Sequence, residues 1–417
     1  MVTAVLALAV TGCATGITRQ AENVTGTTAR VTGQVISDAG GPVEYWVQYG
    51  PTATYGSESA HATVDAPVNQ TVPAVIELTG LTRATTYHYR ICATDSQQRG
   101  GPGCGADRTF ITPNLECGDV ITQDFRLSRS MTCGDFSFQI DGIVVGADGI
   151  DINLAGYTLT GPNSTTVDAS TPVAVDNSGG YDGVTIHDGH LRAWGRAIRL
   201  EGASSNRIRG IEASSNTGGV EIIGGAGNVV RYSDIEGGAQ GAGIGARGSS
   251  GLVIADSVGS AWSVRGDDAR IVRNEIRMGD IGFPPDPSFP CLAIAGNRNH
   301  VVLNSLSGCL STGILLRAGG ANALIENEVA GPPTTADTAD GIRIEAFTAG
   351  TLLRDNYSHD HGDDGIDVRA SSASLGGNRA DNNGDLGIDA VPGVTDLGGN
   401  SASGNGNPVR CRNVVCE

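Results

Sequence analysis

Ten consecutive residues, 358–367 (SHDHGDDGID), hold more titratable groups than any other stretch of this length in the sequence. Their side chains are two imidazoles and four carboxylates, at His359, Asp360, His361, Asp363, Asp364 and Asp367. Carboxylate oxygens are the ligands that Ca²⁺ prefers, and an imidazole takes up or releases a proton near neutral pH. The types and spacing of these residues predict a metal site or an acid–base site.

Two metal sites are compatible with this segment. In the first, Asp363, Asp364 and Asp367 bind Ca²⁺ together with His359, and Ca²⁺ is the only cofactor that we expect. In the second, His359, His361 and Asp363 bind a transition metal, for which two imidazoles and one carboxylate are sufficient ligands. Alternatively, both histidines are solvated residues of a turn and bind nothing.

Further charges recur after the dipeptide Gly-Ile, which begins at 243, 313, 341, 365 and 387. The residues that follow alternate between apolar and polar, which predicts strands with one buried face and places Ile342, Ile344, Ile366 and Val368 in a core. When the strands are aligned, the outward residues form two columns: Leu315, Arg343, Asp367 and Asp389 in one, and Arg317, Glu345, Arg369 and Val391 in the other. The columns predict a charged stripe on one face.

The elements that must position these charges are strands joined by tight turns. Of the 417 residues 62 are Gly and 5% are aromatic, a composition that favours short strands over helices. Beyond Pro113, two apolar residues, a spacer and then Asn or Asp recur every two dozen residues or so, at Asp256, Asn274, Asn304, Asn327, Asp355, Asn378 and Asn400.

This period is typical of a solenoid, in which each coil stacks on the next. Stacking would bring the Asn and Asp side chains of successive turns within hydrogen-bonding distance. We therefore predict an all-β solenoid of about eleven coils over 140–410, with the Asn column as scaffold rather than catalytic machinery.

The segment before the solenoid, 26–113, has the length and the turn pattern of a small antiparallel β-sandwich. Within it, GLTRATTYHYRICATD at 80–95 resembles the corner between strands E and F of bacterial fibronectin type III-like domains, with Tyr87 in the place of the corner tyrosine. The run VEYWVQYG supplies Trp46 as the core aromatic residue. Modules of this family are spacers or weak carbohydrate binders, and we expect a spacer.

Two segments of the solenoid resemble a family. The opening, 116–161, is similar to the first coils of bacterial right-handed parallel β-helix proteins of the pectate lyase-like superfamily, and 382–416 is similar to their closing turn. The resemblance implies a right-handed parallel β-helix, a fold that carries lyases, hydrolases, epimerases, tail-spike enzymes and adhesins. The predicted organisation is a signal peptide over 1–12, a linker over 13–25, the sandwich over 26–113 and the β-helix over 114–417.

Three functions are consistent with this resemblance, and the first is a Ca²⁺-dependent lyase or epimerase that removes the proton beside a uronate carboxylate. Lyases of the superfamily use Arg or Lys as the base. Because the sequence contains no Lys, the candidate bases are Arg343 and Arg369. The other candidate catalytic residues are His361, Asp364 and Asp367.

The second function resembles that of polygalacturonases, inverting hydrolases with an Asp in one coil and an Asp pair in the next. Asp340 and the pair Asp363-Asp364 imitate this arrangement, but the Gly-His-Gly and Arg-Ile-Lys motifs of that family are missing. In the third function the face binds glycans without catalysis, as an adhesin or surface scaffold. Arg343 over Asp367 would then be an ion pair on a solvated face.

The first residues of the chain predict export. The apolar run 1–12 ends in Val-Thr-Gly before Cys13, which resembles the lipobox of bacterial lipoproteins, although no Arg or Lys precedes the run. A lipid on Cys13 would be the protein's only attachment to a membrane. A plain secretory signal and a short buried strand are the alternatives.

The other eight cysteines also indicate an oxidising compartment outside the cytoplasm. No CxxC motif occurs, which disfavours a zinc site. The cysteines fall into couples that are near in sequence, and this proximity predicts four disulfides: Cys92–Cys104, Cys117–Cys133, Cys291–Cys309 and Cys411–Cys416.

The net charge of −18 limits the partners that the protein can have. It excludes a protein that binds the phosphate backbone of nucleic acids. A polyanionic glycan would also be repelled unless Arg side chains or bound cations lined its groove, whereas a neutral glycan would not. We predict a monomeric, exported protein whose partner is an extracellular polysaccharide.

Overall fold

A computed structural model of the chain describes residues 13–95, 101–134, 140–165, 171–238, 241–278, 289–332 and 339–417. The predicted signal peptide, 1–12, lies outside these residues. No helix in the described part is long and apolar enough to cross a membrane. The chain divides into two compact units, Met1–Glu116 and Cys117–Glu417.

The first unit consists of nine strands in one hydrogen-bonded sheet, in the order β4-β3-β7-β8-β1-β2-β6, with β5 on β3 and β9 on β7. All pairs are antiparallel except β1 with β8. The strands are β1 Ala14–Thr18, β2 Ala29–Ser37, β3 Gly41–Gly50, β4 Ser57–Glu58, β5 Ala62–Ala66, β6 Thr71–Leu78, β7 Thr86–Asp95, β8 Gly103–Cys104 and β9 Arg108–Ile111.

The core of this unit lies between the β2–β6 half and the β3–β7 half of the sheet, where Val31 and Leu78 pack in one cluster with Val47 and Tyr89. The hydroxyl of Tyr87 accepts the N–H of Thr82 at 3.0 Å, which is the backbone contact of a tyrosine corner. The fibronectin type III-like family nevertheless stays a prediction.

Two expectations for this unit need correction. Residues 14–18, within the predicted linker, form strand β1, because Ala14, Gly16 and Thr18 face inward while the backbone pairs with β2. Trp46 is buried, but it lies on the face of β3 opposite Tyr45 and Val47, where it stacks on His61 with ring centroids 4.4 Å apart.

The second unit is a right-handed parallel β-helix, as the sequence predicts. Its first strands are β10 Asp119–Ile121, β11 Phe125–Arg126, β12 Met131–Thr132, β13 Ile143–Val145, β14 Asp151–Asn153, β15 Thr158–Thr160, β16 Val173–Asn177, β17 Thr185–Arg192, β18 Arg196–Glu201, β19 Arg207–Ser214, β20 Gly218–Ile223, β21 Val229–Arg231 and β22 Asp234–Ile235. The middle strands are β23 Ile244–Ser250, β24 Val253–Ala255, β25 Val258–Gly259, β26 Trp262–Asp267, β27 Arg270–Val272, β28 Glu275–Arg277, β29 Leu292–Ala295, β30 His300–Val302, β31 Ser305–Ser307, β32 Ile314–Gly320, β33 Ala323–Ile325 and β34 Glu328–Ala330. The last are β35 Ile342–Ile344, β36 Thr348–Ala349, β37 Leu352–Arg354, β38 Tyr357–His359, β39 Ile366–Val368, β40 Ser374–Gly376, β41 Arg379–Asp381, β42 Ile388–Ala390, β43 Thr395–Asp396, β44 Ser401–Ser403 and β45 Cys411–Arg412.

These strands form two parallel sheets, of 14 and 22 strands, which we call sheet 1 and sheet 2. The main path of sheet 1 is β10-β13-β16-β18-β20-β23-β26-β29-β32-β35-β39-β42-β45. When β10 and β45, which lie outside 140–410, are set aside, eleven strands of this path are left, one for each predicted coil. The predicted inward residues Ile342, Ile344, Ile366 and Val368 are fully buried.

A ladder of buried asparagines runs along one corner of the coils. The side-chain oxygen of each ladder residue accepts the backbone N–H of the ladder residue one coil earlier, as Asn356 does from Asn327 at 3.1 Å. The amide nitrogen of Asn327 also donates to the Val301 carbonyl at 2.8 Å. The ladder consists of Asn274, Asn304, Asn327, Asn356, Asn378 and Asn400.

Two members of the predicted column, Asp256 and Asp355, are not in this ladder. Both have a positive φ, of 53° and 54°, and each lies one residue before the side chain that occupies the ladder position, Ser257 or Asn356. An Asp in a left-handed turn is common because its short side chain bonds locally. Each Asp therefore occupies the left-handed position of its turn, and the residue after it faces inward.

The four predicted disulfides, Cys92–Cys104, Cys117–Cys133, Cys291–Cys309 and Cys411–Cys416, are all present. Cys13 is exposed and is the one free cysteine among the described residues. Lipidation at this residue stays a prediction.

We expect Asn327→Ala to destabilise the β-helix by about 2 to 4 kcal/mol, since it leaves the buried Asn304 N–H without an acceptor and removes one donor from the Val301 carbonyl. Guanidinium unfolding followed by circular dichroism measures this loss. Asn407→Ala, at a partly exposed position of the last coil, should change the free energy of unfolding by no more than about 0.5 kcal/mol. Equal effects of the two substitutions would contradict a structural role for the ladder.

Candidate functional site

The candidate site begins with two aspartates at the corner that precedes sheet 1. Asp340 lies two residues before β35, and Asp364 lies two residues before β39, so the parallel register places them on adjacent coils. Oδ1 of Asp340 accepts the Asp364 N–H at 3.2 Å, and Oδ1 of Asp364 accepts the Leu386 N–H at 2.8 Å. One oxygen of each carboxyl group therefore holds the next coil in place.

This corner position also carries an aspartate far from the site. Asp141 lies two residues before β13, and its Oδ1 accepts the Val173 N–H at 2.7 Å in the same way. An Asp at this corner is thus compatible with a purely structural role. The candidate site differs from the coil of Asp141 because several carboxyl groups meet there.

Asp363 completes a cluster of three carboxyl groups with Asp340 and Asp364, which we call the carboxylate cluster. One oxygen from each lies within 4.8 Å of the others, the one group of three potential metal ligands among the described residues. Asp340 is fully buried, Asp364 is 8% exposed and Asp363 is half-buried. Because Ca²⁺ binds oxygens at about 2.3 to 2.6 Å, a single ion could reach all three.

Two arginines supply the positive charge beside the carboxylate cluster. Nη2 of Arg343 contacts Asp340, and its Nε lies 3.2 Å from Oδ2 of Asp367. The same oxygen of Asp367 lies 2.8 Å from Nε of Arg369. Asp367 therefore holds both guanidinium groups in place, and the predicted contact of Arg343 with Asp367 is confirmed.

The predicted first column of outward residues is also confirmed. Leu315, Arg343, Asp367 and Asp389 occupy paired positions on β32, β35, β39 and β42. Neighbouring strands lie about 4.8 Å apart, so each charge on this face lies close to the charges one coil away. The stripe is therefore a set of coupled charges rather than isolated side chains.

Burial and mutual repulsion raise the pKa of these carboxyl groups. For Asp340, burial raises the pKa to about 7, with Arg343 opposing and Asp367 and Asp363 adding to the rise. For Asp364, burial raises the pKa to about 6, although the bound N–H of Leu386 lowers it. Burial and the neighbouring Asp385 also raise the pKa of Asp363. At neutral pH the carboxylate cluster thus holds both protonated and ionised groups.

His361, a predicted catalytic residue, is part of the scaffold. It is 2% exposed, its N–H donates to Oδ1 of Asn383 at 3.1 Å, and its Nε2 lies 3.2 Å from the Val329 carbonyl. One coil later, Asn383 bonds Asn405 in the same manner and points its amide at Ser358, the strand partner of Val329. The imidazole therefore occupies an asparagine position in a second column of buried polar residues, His361, Asn383 and Asn405.

His359, a predicted metal ligand, lies in β38 of sheet 2, whereas Asp367 lies in β39 of sheet 1. Its Nδ1 bonds Asp360 at 2.6 Å, and its ring stacks on Tyr357. The structure does not bring His359 to the carboxylate cluster. The alternative transition-metal site with His359, His361 and Asp363 is not formed either.

The structure thus assembles most of the predicted site but changes its membership. Arg343, Asp364, Asp367 and Arg369 come together, and Asp363 joins Asp364 as expected. The residue that sequence reasoning undervalued is Asp340, which lies 23 residues before Asp363 in sequence and directly beside it in space. Its position before a Gly-Ile dipeptide, shared with Asp364, was the available signal.

The chain matches no protein-family model and no curated protein. Among solved structures, the catalytic unit of the thermostable GH87 α-1,3-glucanase of Streptomyces thermodiastaticus strain HF3-3 is 12% identical, with a TM-score of 0.41 over 94% of this chain and 95% of that one. DFA-IIIase of Arthrobacter chlorophenolicus A6 without its lid is 14% identical, with a TM-score of 0.38 over 67% and 70% of the chains. Likenesses at this level carry no inference about activity.

The stability of the second unit should decrease between pH 4 and pH 7 because of Asp340. Its folded pKa of about 7 exceeds the ordinary 3.8, so the folded state binds more protons in this window and loses stability as the pH rises. Asp340→Asn should remove a pH-dependent loss on the order of 2 kcal/mol. Guanidinium unfolding at pH 5 and pH 8 measures the difference.

The exposed Asp124 of an early coil provides the control, since Asp124→Asn keeps the acceptor for the Asp151 N–H. This variant should follow the pH dependence of the wild type. A wild-type slope that persists unchanged in Asp340→Asn would show that Asp340 is ionised throughout the window.

Proposed function

We propose that the β-helix unit hydrolyses glycosidic bonds of an extracellular polysaccharide at the carboxylate cluster. The observation that carries the proposal is the meeting of three carboxyl groups on adjacent coils, two of them with pKa values of about 6 and 7. Glycoside hydrolysis requires one protonated and one ionised carboxyl group at the scissile bond. The carboxylate cluster supplies both forms near neutral pH.

Asp364 is the candidate general acid, because its pKa of about 6 keeps part of it protonated in mildly acidic solution. It would give its proton to the glycosidic oxygen as the bond from that oxygen to the anomeric carbon breaks. Asp363, the most exposed of the three, is the candidate nucleophile, which bonds to the anomeric carbon as the glycosidic bond breaks. Water then cleaves the bond between Asp363 and that carbon, and Asp364, now ionised, takes the proton from this water. The net reaction consumes one water and forms one new reducing end.

Asp340 has a positioning role in this proposal. It is fully buried, so it does not reach the substrate, but its Oδ1 holds the backbone of Asp364 and its Oδ2 contacts Arg343. A charge or a proton on Asp340 thus acts on the reaction through Asp364 and Arg343. Asp367 has a comparable role because it orients Arg343 and Arg369.

The lyase or epimerase function is less well supported because neither candidate base is available. Arg343 contacts both Asp340 and Asp367, and Arg369 is paired with Asp367. Burial lowers the pKa of Arg369, but the charge of Asp367 and its hydrogen bond outweigh this and raise it. A guanidinium held between carboxylates is a poor acceptor of a proton.

The inverting reaction of the polygalacturonase-like alternative requires a minimum separation between the two carboxyl groups. Inverting glycosidases separate their carboxyl groups by about 6.5 to 9.5 Å to leave room for a water. Oxygens of Asp340, Asp363 and Asp364 approach one another within 4.8 Å. This spacing is close to the roughly 5 to 5.5 Å of retaining enzymes, so it favours the retaining reaction over inversion.

Ca²⁺ binding is a second candidate function, favoured by the three convergent carboxyl groups of the carboxylate cluster. Arg343 already supplies a positive charge to Asp340, so hydrolysis itself needs no cation in our proposal.

Export and a lipid on the exposed Cys13 belong to the same proposal, since the four disulfides suit an oxidising compartment.

Asp364→Asn and Asp363→Asn should each lower hydrolysis by about 10² to 10⁴-fold, since the first removes the general acid and the second the nucleophile. The assay measures new reducing ends on a panel of neutral glucans, fructans and polyuronides. Absorbance of unsaturated uronates is recorded in the same samples.

Asp141→Asn is the matched control, because it makes the same change at the same corner position on a distant coil. It should retain wild-type activity. Unsaturated products would replace our proposal by the lyase function. A folded protein that is silent in both assays would favour the adhesin or scaffold.

The rate should fall as the pH rises above about 6, because Asp364 then loses the proton that it must donate. A pH profile of kcat/KM, with and without a chelator, measures this. We expect the chelator to have no effect on the profile. Activity that rises toward pH 8 and requires Ca²⁺ would contradict the assigned roles.

A further inference from the structure

The outer face of sheet 1 carries a trough several coils before the carboxylate cluster. Two shallow pockets, of about 190 and 250 Å³, adjoin there and share Glu221 and Gly245. The larger one is bounded by Arg247, Ser263 and Arg265. Strands β20, β23 and β26 form this part of the sheet.

The trough exists because small residues occupy the outward column that holds charges farther along. Gly245, Ser263 and Ala293 are paired in register on β23, β26 and β29, and the same column continues to Leu315 and Arg343. With about 4.8 Å between strands, the distance from Ser263 to Arg343 is about 14 Å. A chain of a few sugars could therefore occupy both the trough and the carboxylate cluster.

Arginines form one wall of this path. Arg247 and Arg265 are paired on adjacent strands, Ala295 is the partner of Arg265 on β29, and Arg317 lies at the register shift between β29 and β32. Beyond Arg317, Glu345 separates it from Arg369, because Ile344 pairs with both Leu316 and Val368. We call Gly245, Ser263, Arg247, Arg265 and Arg317 the arginine trough.

The charges of the arginine trough are only partly compensated within the protein. Arg247 lies 3.0 Å from Glu221, but no carboxylate in the described part of the chain forms an ion pair with Arg265 or Arg317, and both are exposed. Arg247 and Arg265 also face each other directly, and like charges in such a pair destabilise a sheet. A bound anion would relieve this repulsion.

This placement is notable in a protein with a net charge of −18. A polyanion is repelled by such a protein at long range, except where cationic side chains lie on the surface that it contacts. The exposed arginines meet that condition on the face that carries the carboxylate cluster. Guanidinium groups bind carboxylate and sulfate oxygens through paired N–H donors.

We infer that the arginine trough binds a polyanionic glycan, one that carries carboxylate or sulfate groups along its length. The inference rests on the proposed function only in taking the bound glycan as the substrate. Arg265 and Arg317 are the specificity-determining residues. The small residues of the floor leave room for the sugar rings beside these arginines.

The test measures binding by isothermal titration calorimetry with the full chain carrying Asp364→Asn, so that cleavage does not interfere. The probes are dextran sulfate against dextran, and polygalacturonate against its methyl ester. Within each pair, the affinities show whether the anionic group is recognised. Between the pairs, they show whether sulfate or carboxylate is preferred. In this background, R265A/R317A is compared with R192A/R354A, which removes two exposed arginines from sheet 2.

We expect at least one polyanion to bind more tightly than its neutral counterpart. R265A/R317A should weaken this binding by about tenfold or more, and R192A/R354A by no more than about twofold. Equal losses in the two double variants, no binding of either polyanion, or equal affinity for the neutral polymers would overturn the inference. Circular dichroism verifies that each variant is folded. Binding is measured without turnover, so a lack of hydrolysis would not change the conclusion about binding. A lack of binding to polyanions would likewise not change the conclusion about hydrolysis.

Discussion

The parallel register of the coils is the constraint on which the rest of the structure depends. Each coil of the second unit lies directly over the next, so that one residue type repeated along the chain becomes one column in space. Register slips are costly where a face is buried, and the buried asparagines fix the register through bonds to backbone groups of the neighbouring coil. Loops and the residues of the candidate site can then vary without loss of alignment.

The candidate site uses the same scaffold with charged residues in place of neutral ones. Oδ1 of Asp340 and of Asp364 accepts a backbone N–H as a ladder asparagine does. The second oxygen of Asp340 contacts Arg343, whereas that of Asp364 is left for the proposed transfer of a proton. A buried carboxylate is unfavourable unless it is paired or protonated, which accounts for both the Arg343 contact and the raised pKa values. The scaffold tolerates this unfavourable group because neighbouring coils hold it in place.

Sheet 1 carries its negative and positive charges in different places along the coils. Carboxyl groups concentrate on β39, β42 and the turns before them, whereas exposed arginines without a described carboxylate partner lie on β26 and β32. A glycan that lies along the coils would contact both regions, since neighbouring strands are separated by roughly the length of one sugar ring. One end of the face would thus recognise the chain and the other would cleave it.

The sequence by itself determined the repeated elements and the column of charges. Period-two alternation after Gly-Ile identified the inward residues Ile342 and Ile366, and the spacing of the asparagines identified the solenoid, because both patterns are local and recur in every coil. The couples of cysteines also followed from proximity. What the sequence did not determine is which side of a turn a polar residue faces. His361 and Asp363 are two residues apart, yet one enters the scaffold and the other the carboxylate cluster, and Asp340 reaches that cluster from the preceding coil. Only the tertiary structure decided this, because coils of unequal length bring residues together according to where each turn ends rather than how far apart they are in sequence.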